Sequence, residues 1–191
     1  MKKKIAFMIF FLLLTVTKAQ QTGMLNDIRD GKVYKTVKID NRIWMAQNLN
    51  FIAENGSWCY DDDLNNCDKY GRLYDWETSA KICPEGWHLP TEADFEALID
   101  AVNNDGNALK SKGQGTEGGA GTNTSGFSAL LAGLRYGSGL FSGSGLSANF
   151  WCSAEYESSN AYFLYLFQDD GGVFLFDYYK EAAFSVRCVK D

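Results

Sequence analysis

Cys83-Pro84-Glu85-Gly86-Trp87-His88-Leu89-Pro90-Thr91-Glu92-Ala93-Asp94-Phe95 contains both prolines of the 191-residue chain. Pro84 and Pro90 fix φ at two turns, and Gly86 supplies the positive φ that a tight turn requires. Trp87 and Leu89 are apolar plugs inside the turn. Thr91 ahead of Glu92-Ala93-Asp94 is a variant of the N-capping pattern, with acids where the helix dipole favours them. Phe95, Leu98, Ile99 and Val102 then recur at helical spacing, which predicts a helix from Thr91 to Val102 with one core face. The stretch reads as a rigid bracket that launches a helix, and Cys83 can tie it to a distant part of the chain.

Upstream, Leu73 to Ile82 reads as a short helix with Leu73, Trp76 and Ala80 on one face. Before it, residues 53–71 form a polar loop around Trp58-Cys59-Tyr60-Asp61-Asp62-Asp63-Leu64-Asn65-Asn66-Cys67-Asp68. Asp61, Asp63 and Asn65 copy the first three ligand positions of a calcium loop. Asn66 stands where that loop needs Gly, and Arg72 where it needs the bidentate Glu. An acidic turn stapled by a disulfide is therefore expected, with no cofactor and no metal needed for folding; a looser calcium site on Asp61, Asp63 and Asn65 is the alternative. Val33-Tyr34-Lys35-Thr36-Val37-Lys38-Ile39 alternates with period two, Asp40-Asn41 turns, and Arg42 to Ala46 returns, a hairpin signal. Residues 20–30 read as a polar lead, and residues 31–191 as a single domain.

Downstream, Asn103-Asn104-Asp105-Gly106 ends the helix. Residues 111–126 are rich in Gly, Thr and Ser; no Lys-Ser/Thr pair follows a glycine, so this is a long exposed loop and not a phosphate loop. From Phe127 the chain reads as strands: residues 127–136, 149–153, 161–167, 173–176 and 184–189, with Asp169-Asp170-Gly171-Gly172 as a hairpin turn. The fold class is α+β: an N-terminal hairpin, two helices, a long Gly-rich loop and a C-terminal antiparallel sheet.

The chain opens with Lys2-Lys3-Lys4, an apolar run from Ile5 to Val16, and Thr17-Lys18-Ala19, the pattern of a cleaved signal peptide over residues 1–19. The apolar run is too short to cross a bilayer. Its removal takes four lysines, so Lys plus Arg falls from 18 to 14 against 24 acids and the net charge goes from −6 to −10. That excess argues against nucleic acid and against membrane insertion or anionic membrane surfaces. It suits a protein secreted, or held at the cell surface or in the periplasm. Export makes disulfides plausible for the five cysteines. Cys59 pairs with Cys67 across the polar loop, and Cys83 of the bracket pairs with Cys188. Cys152, in the apolar run Asn149-Phe150-Trp151-Cys152-Ser153, is left as a buried free thiol. As a nucleophile it would need a base, and the chain has a single His, His88.

Residues 162–167 separate into two faces: Tyr162, Leu164 and Leu166 on one, Phe163, Tyr165 and Phe167 on the other. Beyond the turn, Phe174, Phe176 and Tyr178 share one parity. A sheet with one buried face is not aromatic on both, so either loops cover the second face or it meets a ligand. Phe163, Tyr165, Phe167, Phe174, Phe176 and Tyr178 are the candidate binding residues.

Trp44-Met45-Ala46-Gln47-Asn48-Leu49-Asn50, Tyr70-Gly71-Arg72-Leu73-Tyr74-Asp75-Trp76, the bracket, Gly126-Phe127-Ser128-Ala129-Leu130, Phe150-Trp151 with Ser153 and Glu155, and Ser185-Val186-Arg187-Cys188-Val189 together resemble the Fibrobacter succinogenes major paralogous domain, from about residue 30 to the end. The resemblance implies a secreted or surface-exposed protein with a fold similar to C-type-lectin-like domains of the formylglycine-generating-enzyme type. The bracket resembles the Arg-Leu-Pro-Thr-Glu signature of that group, with His88 in place of the Arg. Those enzymes bind copper through a late cysteine pair. Here the late cysteines are Cys152 and Cys188, and no motif matches around either, so no catalytic residue is assigned. The resemblance thus implies a non-catalytic recognition module for an extracellular glycan, polymer or protein, of a kind that diversity-generating retroelements vary. The alternative is an enzyme of the formylglycine-generating type or a related oxidative activity.

Overall fold

The structure, a computed structural model, describes residues 20–191; the expected signal peptide lies outside the described residues. In chain order the elements are β1 (Gln21–Asn26), β2 (Val33–Ile39), β3 (Arg42–Met45), β4 (Ser57–Trp58), α1 (Leu64–Tyr70), β5 (Leu73–Asp75), α2 (Trp76–Ser79), α3 (Glu92–Ala101), α4 (Gly106–Leu109), β6 (Ala132–Arg135), β7 (Phe141–Ser144), β8 (Ser147–Glu155), β9 (Asn160–Phe167), β10 (Phe174–Tyr179), β11 (Ala183–Ser185) and β12 (Val189–Lys190). The fold is α+β, with strands dominating.

Two sheets form. The smaller runs β1-β2-β3-β12 and is antiparallel throughout. The larger runs β10-β9-β8-β11-β5-β4, with β6 beside β11 and β7 beside β6. The expected C-terminal sheet is therefore neither wholly C-terminal nor wholly antiparallel. β4 and β5 come from the N-terminal half, and β11 runs parallel to β8, with Ser185 opposite Phe150. The last segment, read as one strand over 184–189, is split between the sheets: β11 closes the larger and β12 the smaller. The intervening Val186 and Arg187 are fully buried.

Three further expectations need correction. The polar lead is a strand: β1 pairs with β2 from Gln21↔Lys38 to Asn26↔Val33. It is an edge strand on which only Leu25 is buried, so main-chain bonds suffice and no apolar alternation marks it. The helix expected over 73–82 begins three residues late. Leu73-Tyr74-Asp75 pairs with β11, and the Asp75 side chain accepts from the Thr78 amide as an N-cap, which starts the helix at Trp76. Of the strand expected over 127–136, Ala132–Arg135 forms a strand and Ala129 makes an isolated bridge to Lys110. Phe127, Ala129 and Leu131 are buried in an irregular run whose apolar alternation reflects packing.

The hairpin and the bracket form as read. β2 and β3 join through Asp40-Asn41, with Ile39 opposite Arg42. In the bracket, Gly86 takes φ 78° and the Trp87 amide donates to the Pro84 carbonyl. His88 exchanges both main-chain bonds with Val189, at 3.0 Å each way, and Cys83 is bridged to Cys188, so the bracket is fastened twice to the C-terminal segment. Thr91 caps α3, and Asp94 returns a bond to the Thr91 amide, completing a capping box.

Asp94 is buried and also takes bonds from the Thr91 hydroxyl, from His88 Nε2 at 3.1 Å and from the Arg42 guanidinium. Burial alone would raise its carboxyl. The bonds from Thr91, His88 and Arg42 together outweigh that and hold it below its ordinary value of 3.8. A depressed carboxyl stabilises the fold above the unfolded value and loses that contribution as pH falls through the folded one. Melting temperature measured against pH should therefore drop below pH 3.8 in the parent. Asp94→Asn should start lower and lose that part of the acid limb; an unchanged limb would remove Asp94 as its source.

Two cores result. Trp44, Phe95, Leu98, Phe127, Phe150, Leu164 and Leu166 pack between the larger sheet, the smaller sheet and α3. Met45, Leu49, Tyr74, Trp151, Phe163 and Phe184 fill the other side.

Candidate functional site

β9 and β10 form the hairpin that carries the candidate binding residues, and among the described residues β10 is an edge strand paired only with β9. Phe174 lies opposite Tyr165, and Phe176 opposite Phe163, so the odd-numbered residues of β9 share a face with the even-numbered residues of β10. The opposite face carries Leu164 and Leu166, both fully buried in the first core. Tyr162, assigned to that core face, reaches its end and is half-buried against Tyr156.

The second face divides in two. Over β8 and β11 it is covered: Trp151 stacks on Phe184 at 4.2 Å, Phe163 lies 4.8 Å from Phe184, and Asn149 donates to the Gly133 carbonyl of β6. Phe163 is only 6% exposed, ringed by Tyr165, Phe176 and Tyr178. It shares the face but supports the contact surface from beneath. Toward β10 the face is open. Phe174 and Phe176 are 36% and 49% exposed, with rings 5.7 Å apart and 9° from parallel. Tyr165 and Phe167 form a second stacked pair at 6.0 Å, half-buried beside them. Tyr178 closes the row. Burial first, then the nearby Tyr136 and Tyr179, push its hydroxyl pKa up. Tyr136, which directly follows β6, is not among the candidate binding residues, and nothing local marks it as one.

The Gly-rich stretch is the loop expected, exposed over much of its length, and it also holds this hairpin through its buried Gly119. Gly106 N–H donates to the Gly171 carbonyl and Thr116 N–H to the Gln168 carbonyl, both at 2.7 Å. A Cβ on Gly119 would lie 2.2 Å from the Gln168 oxygen, so this main chain seats directly on the β9–β10 turn. Lys110, fully buried after α4, donates to the Phe167 and Asp170 carbonyls at 2.7 Å each. Burial pushes its pKa down, against the pull of Asp170, Asp105 and Asp169. The hairpin turn is thus pinned by a buried ammonium and a glycine seam, which fixes the rings on β10.

The other candidates are placed as follows. Asp63 caps α1, its Oδ1 accepting from both the amide and the side chain of Asn65 at 2.9 Å, while Asp61 is exposed at φ 53°. Cys59 and Cys67 are bridged across this turn. Among the described residues no group of three or more His, Cys, Asp or Glu side chains is arranged to hold a metal ion. Cys152 is a buried free thiol whose pKa is raised to about 11 by burial. Cys188 is in its bridge, and His88 is engaged with Asp94.

In the sequence Arg187 stands out only as part of the Ser185–Val189 motif, but its surroundings set it apart. It is fully buried, with Nε donating to Asn48 Oδ1 at 2.8 Å, Nη1 to the Met45 carbonyl at 3.2 Å and to the Phe127 carbonyl, and Nη2 to the Ser128 carbonyl at 2.8 Å. Its guanidinium lies 4.6 Å from the Phe127 ring centre and 5.4 Å from that of Phe150. Burial lowers its pKa to about 9, which leaves it charged at neutral pH.

The family model of the Fibrobacter succinogenes major domain matches residues 37–190. No curated protein and no solved structure gives a match.

Proposed function

Because the chain belongs to the Fibrobacter succinogenes major domain family, we propose that it is a non-catalytic recognition module acting outside the cytoplasm, C-type-lectin-like in its use of a rigid scaffold to present a contact surface. The surface is the open half of the β9–β10 face. The observation that carries this reading is the Phe174–Phe176 pair: two large apolar rings, stacked and exposed on a hairpin that Lys110 and the glycine seam hold still. Ordered apolar rings left wet lose roughly 25 cal/mol for each Å² that a ligand would cover. Flat aromatic faces suit the apolar face of a sugar ring, and the same patch can seat an extracellular polymer or protein. Two disulfides fit an oxidising compartment, and no helix among the described residues is long and apolar enough to cross a membrane. The reading needs no cofactor. A reverse transcriptase and template repeat beside the gene would mark it as a retroelement-diversified member.

The test is a screen of the purified protein against extracellular glycans and surface proteins, repeated with two variants. Phe176→Ala should weaken binding by about tenfold, the loss of one stacking contact, while shifting stability by less than about 1 kcal/mol. Leu164→Ala, on the buried face of the neighbouring strand β9, should cost on the order of 2–5 kcal/mol in urea unfolding. Full binding by Phe176→Ala would sink the assignment of the surface.

A further inference from the structure

On the opposite side of the larger sheet is a cleft of about 420 Å³, between β2, the segment after β3, the end of α1 and Ser128. Its position follows from Arg187, which sits over Phe150, on the Leu164 face and away from the exposed rings. We propose that this cleft binds a ligand bearing a carboxylate.

The argument rests on charge. Arg187 lines the cleft as a fully buried guanidinium, and among the described residues it has no ion-pair partner. A guanidinium has five N–H groups. Four of Arg187's go to Asn48, Met45, Phe127 and Ser128, which leaves one on Nη2 without an acceptor. A buried cation without a counter-charge is costly, and an anion brought near it recovers part of that cost because the surrounding protein screens poorly. The walls carry the same sign. Lys35 and Lys69 both line the cleft and among the described residues neither is ion-paired, while Lys32 is neutralised by Asp30 at 3.0 Å. Asp68 is the single carboxylate in the lining. A cationic cleft is notable on a chain whose acids outnumber Lys plus Arg by 24 to 18. The volume falls in the range of about 300–1,000 Å³ that small-ligand sites occupy. Gln47 lines it as well, and its side-chain amide nitrogen adds a neutral donor. Arg187 supplies the field from the floor, and Lys35 and Lys69 make the direct contacts from the walls.

The carboxylate can belong to an acidic sugar or to a peptide C-terminus. The full chain is titrated by calorimetry at low salt with sodium galacturonate, with galactose and with N-acetylglycine. At least one of the two acids should bind at least about tenfold more tightly than galactose, the margin of a charge-assisted hydrogen bond. Galacturonate tighter than N-acetylglycine assigns the acidic sugar; the reverse order assigns the chain terminus. The double variant Lys35→Gln, Lys69→Gln should lose about fivefold or more in affinity with its melting temperature unchanged, as solvated wall charges contribute little to stability. Galactose binding as well as either acid, neither acid binding, or an unaltered double variant would each overturn the proposal. Phe176→Ala should leave this affinity untouched, so a failure here leaves the aromatic surface standing, and the converse holds.

Discussion

Replacing Arg187 by Ala should leave the protein without a stable folded state. The substitution strands the carbonyls of Met45, Phe127 and Ser128 and the side-chain oxygen of Asn48, all of which now accept from one guanidinium. A buried polar group deprived of its partner costs about 1–3 kcal/mol, and four share this one, so the total is on the order of 5 kcal/mol or more even without full additivity. That rivals the whole stability of a typical domain, about 5–15 kcal/mol. The site is also topologically central. Arg187 lies between β11 of the larger sheet and β12 of the smaller, and its acceptors come from the end of β3 and from the irregular run at Phe127. Arg187→Lys keeps the charge but has fewer donors without the planar fork, and it should fall between the parent and Arg187→Met. The check is urea unfolding followed by tryptophan fluorescence. An Arg187→Met variant with the parent midpoint would show that the carbonyls find other partners.

Arg187 also shows where sequence reading stops. Elements whose signal is local were legible. The β2–β3 hairpin announces itself by alternation and Asp40-Asn41, and α3 by Thr91 and the spacing of Phe95 and Leu98. Elements defined by a partner far along the chain were not. β1 is a strand because Val33 to Lys38 lies beside it, and Leu73-Tyr74-Asp75 is one because Ala183 to Ser185 does. The Gly-rich stretch was legible as an exposed loop, but its docking on the β9–β10 turn was not, because glycine carries no burial signal. Gly115 and Gly119 are close-approach positions against Gln168, which only the fold brings there. The candidate surface divides the same way. Period two put Tyr165, Phe174, Phe176 and Tyr178 on one face, but it could not show that Phe184 and Trp151 enclose Phe163. Nor could it show Tyr136 arriving from the turn after β6.

Breaking the Cys83–Cys188 bridge should cost far more than breaking Cys59–Cys67. The first closes a separation of 105 residues and the second one of 8. In the chain-entropy model a cross-link stabilises by restricting the unfolded chain, by about 4.7 kcal/mol for a loop near a hundred residues and about 2–3 kcal/mol for one near eight. Native contacts widen the gap. The Cys83–Cys188 bridge sits where the bracket meets the C-terminal segment, next to the paired main chains of His88 and Val189, and Cys188 is fully buried within the second core. Losing it releases the anchor of β12 and, through residue 187, of β11. Cys59–Cys67 holds only the turn that leads into α1, where Asp63 already caps the helix. The comparison is made with Cys83→Ser/Cys188→Ser and Cys59→Ser/Cys67→Ser double variants, each measured by denaturant midpoint, with Cys152 retained in both. Its buried thiol, with a pKa raised to about 11, is a poor partner for disulfide exchange at neutral pH. The first variant should lose most of the domain's stability, or fail to fold at 37 °C as native-disulfide deletions in secreted domains often do. The second should unfold cooperatively at a midpoint lowered by about half as much. Equal losses in the two variants would mean that the C-terminal segment is held by Arg187 and main-chain pairing alone, and that the bridge adds nothing the fold does not already secure.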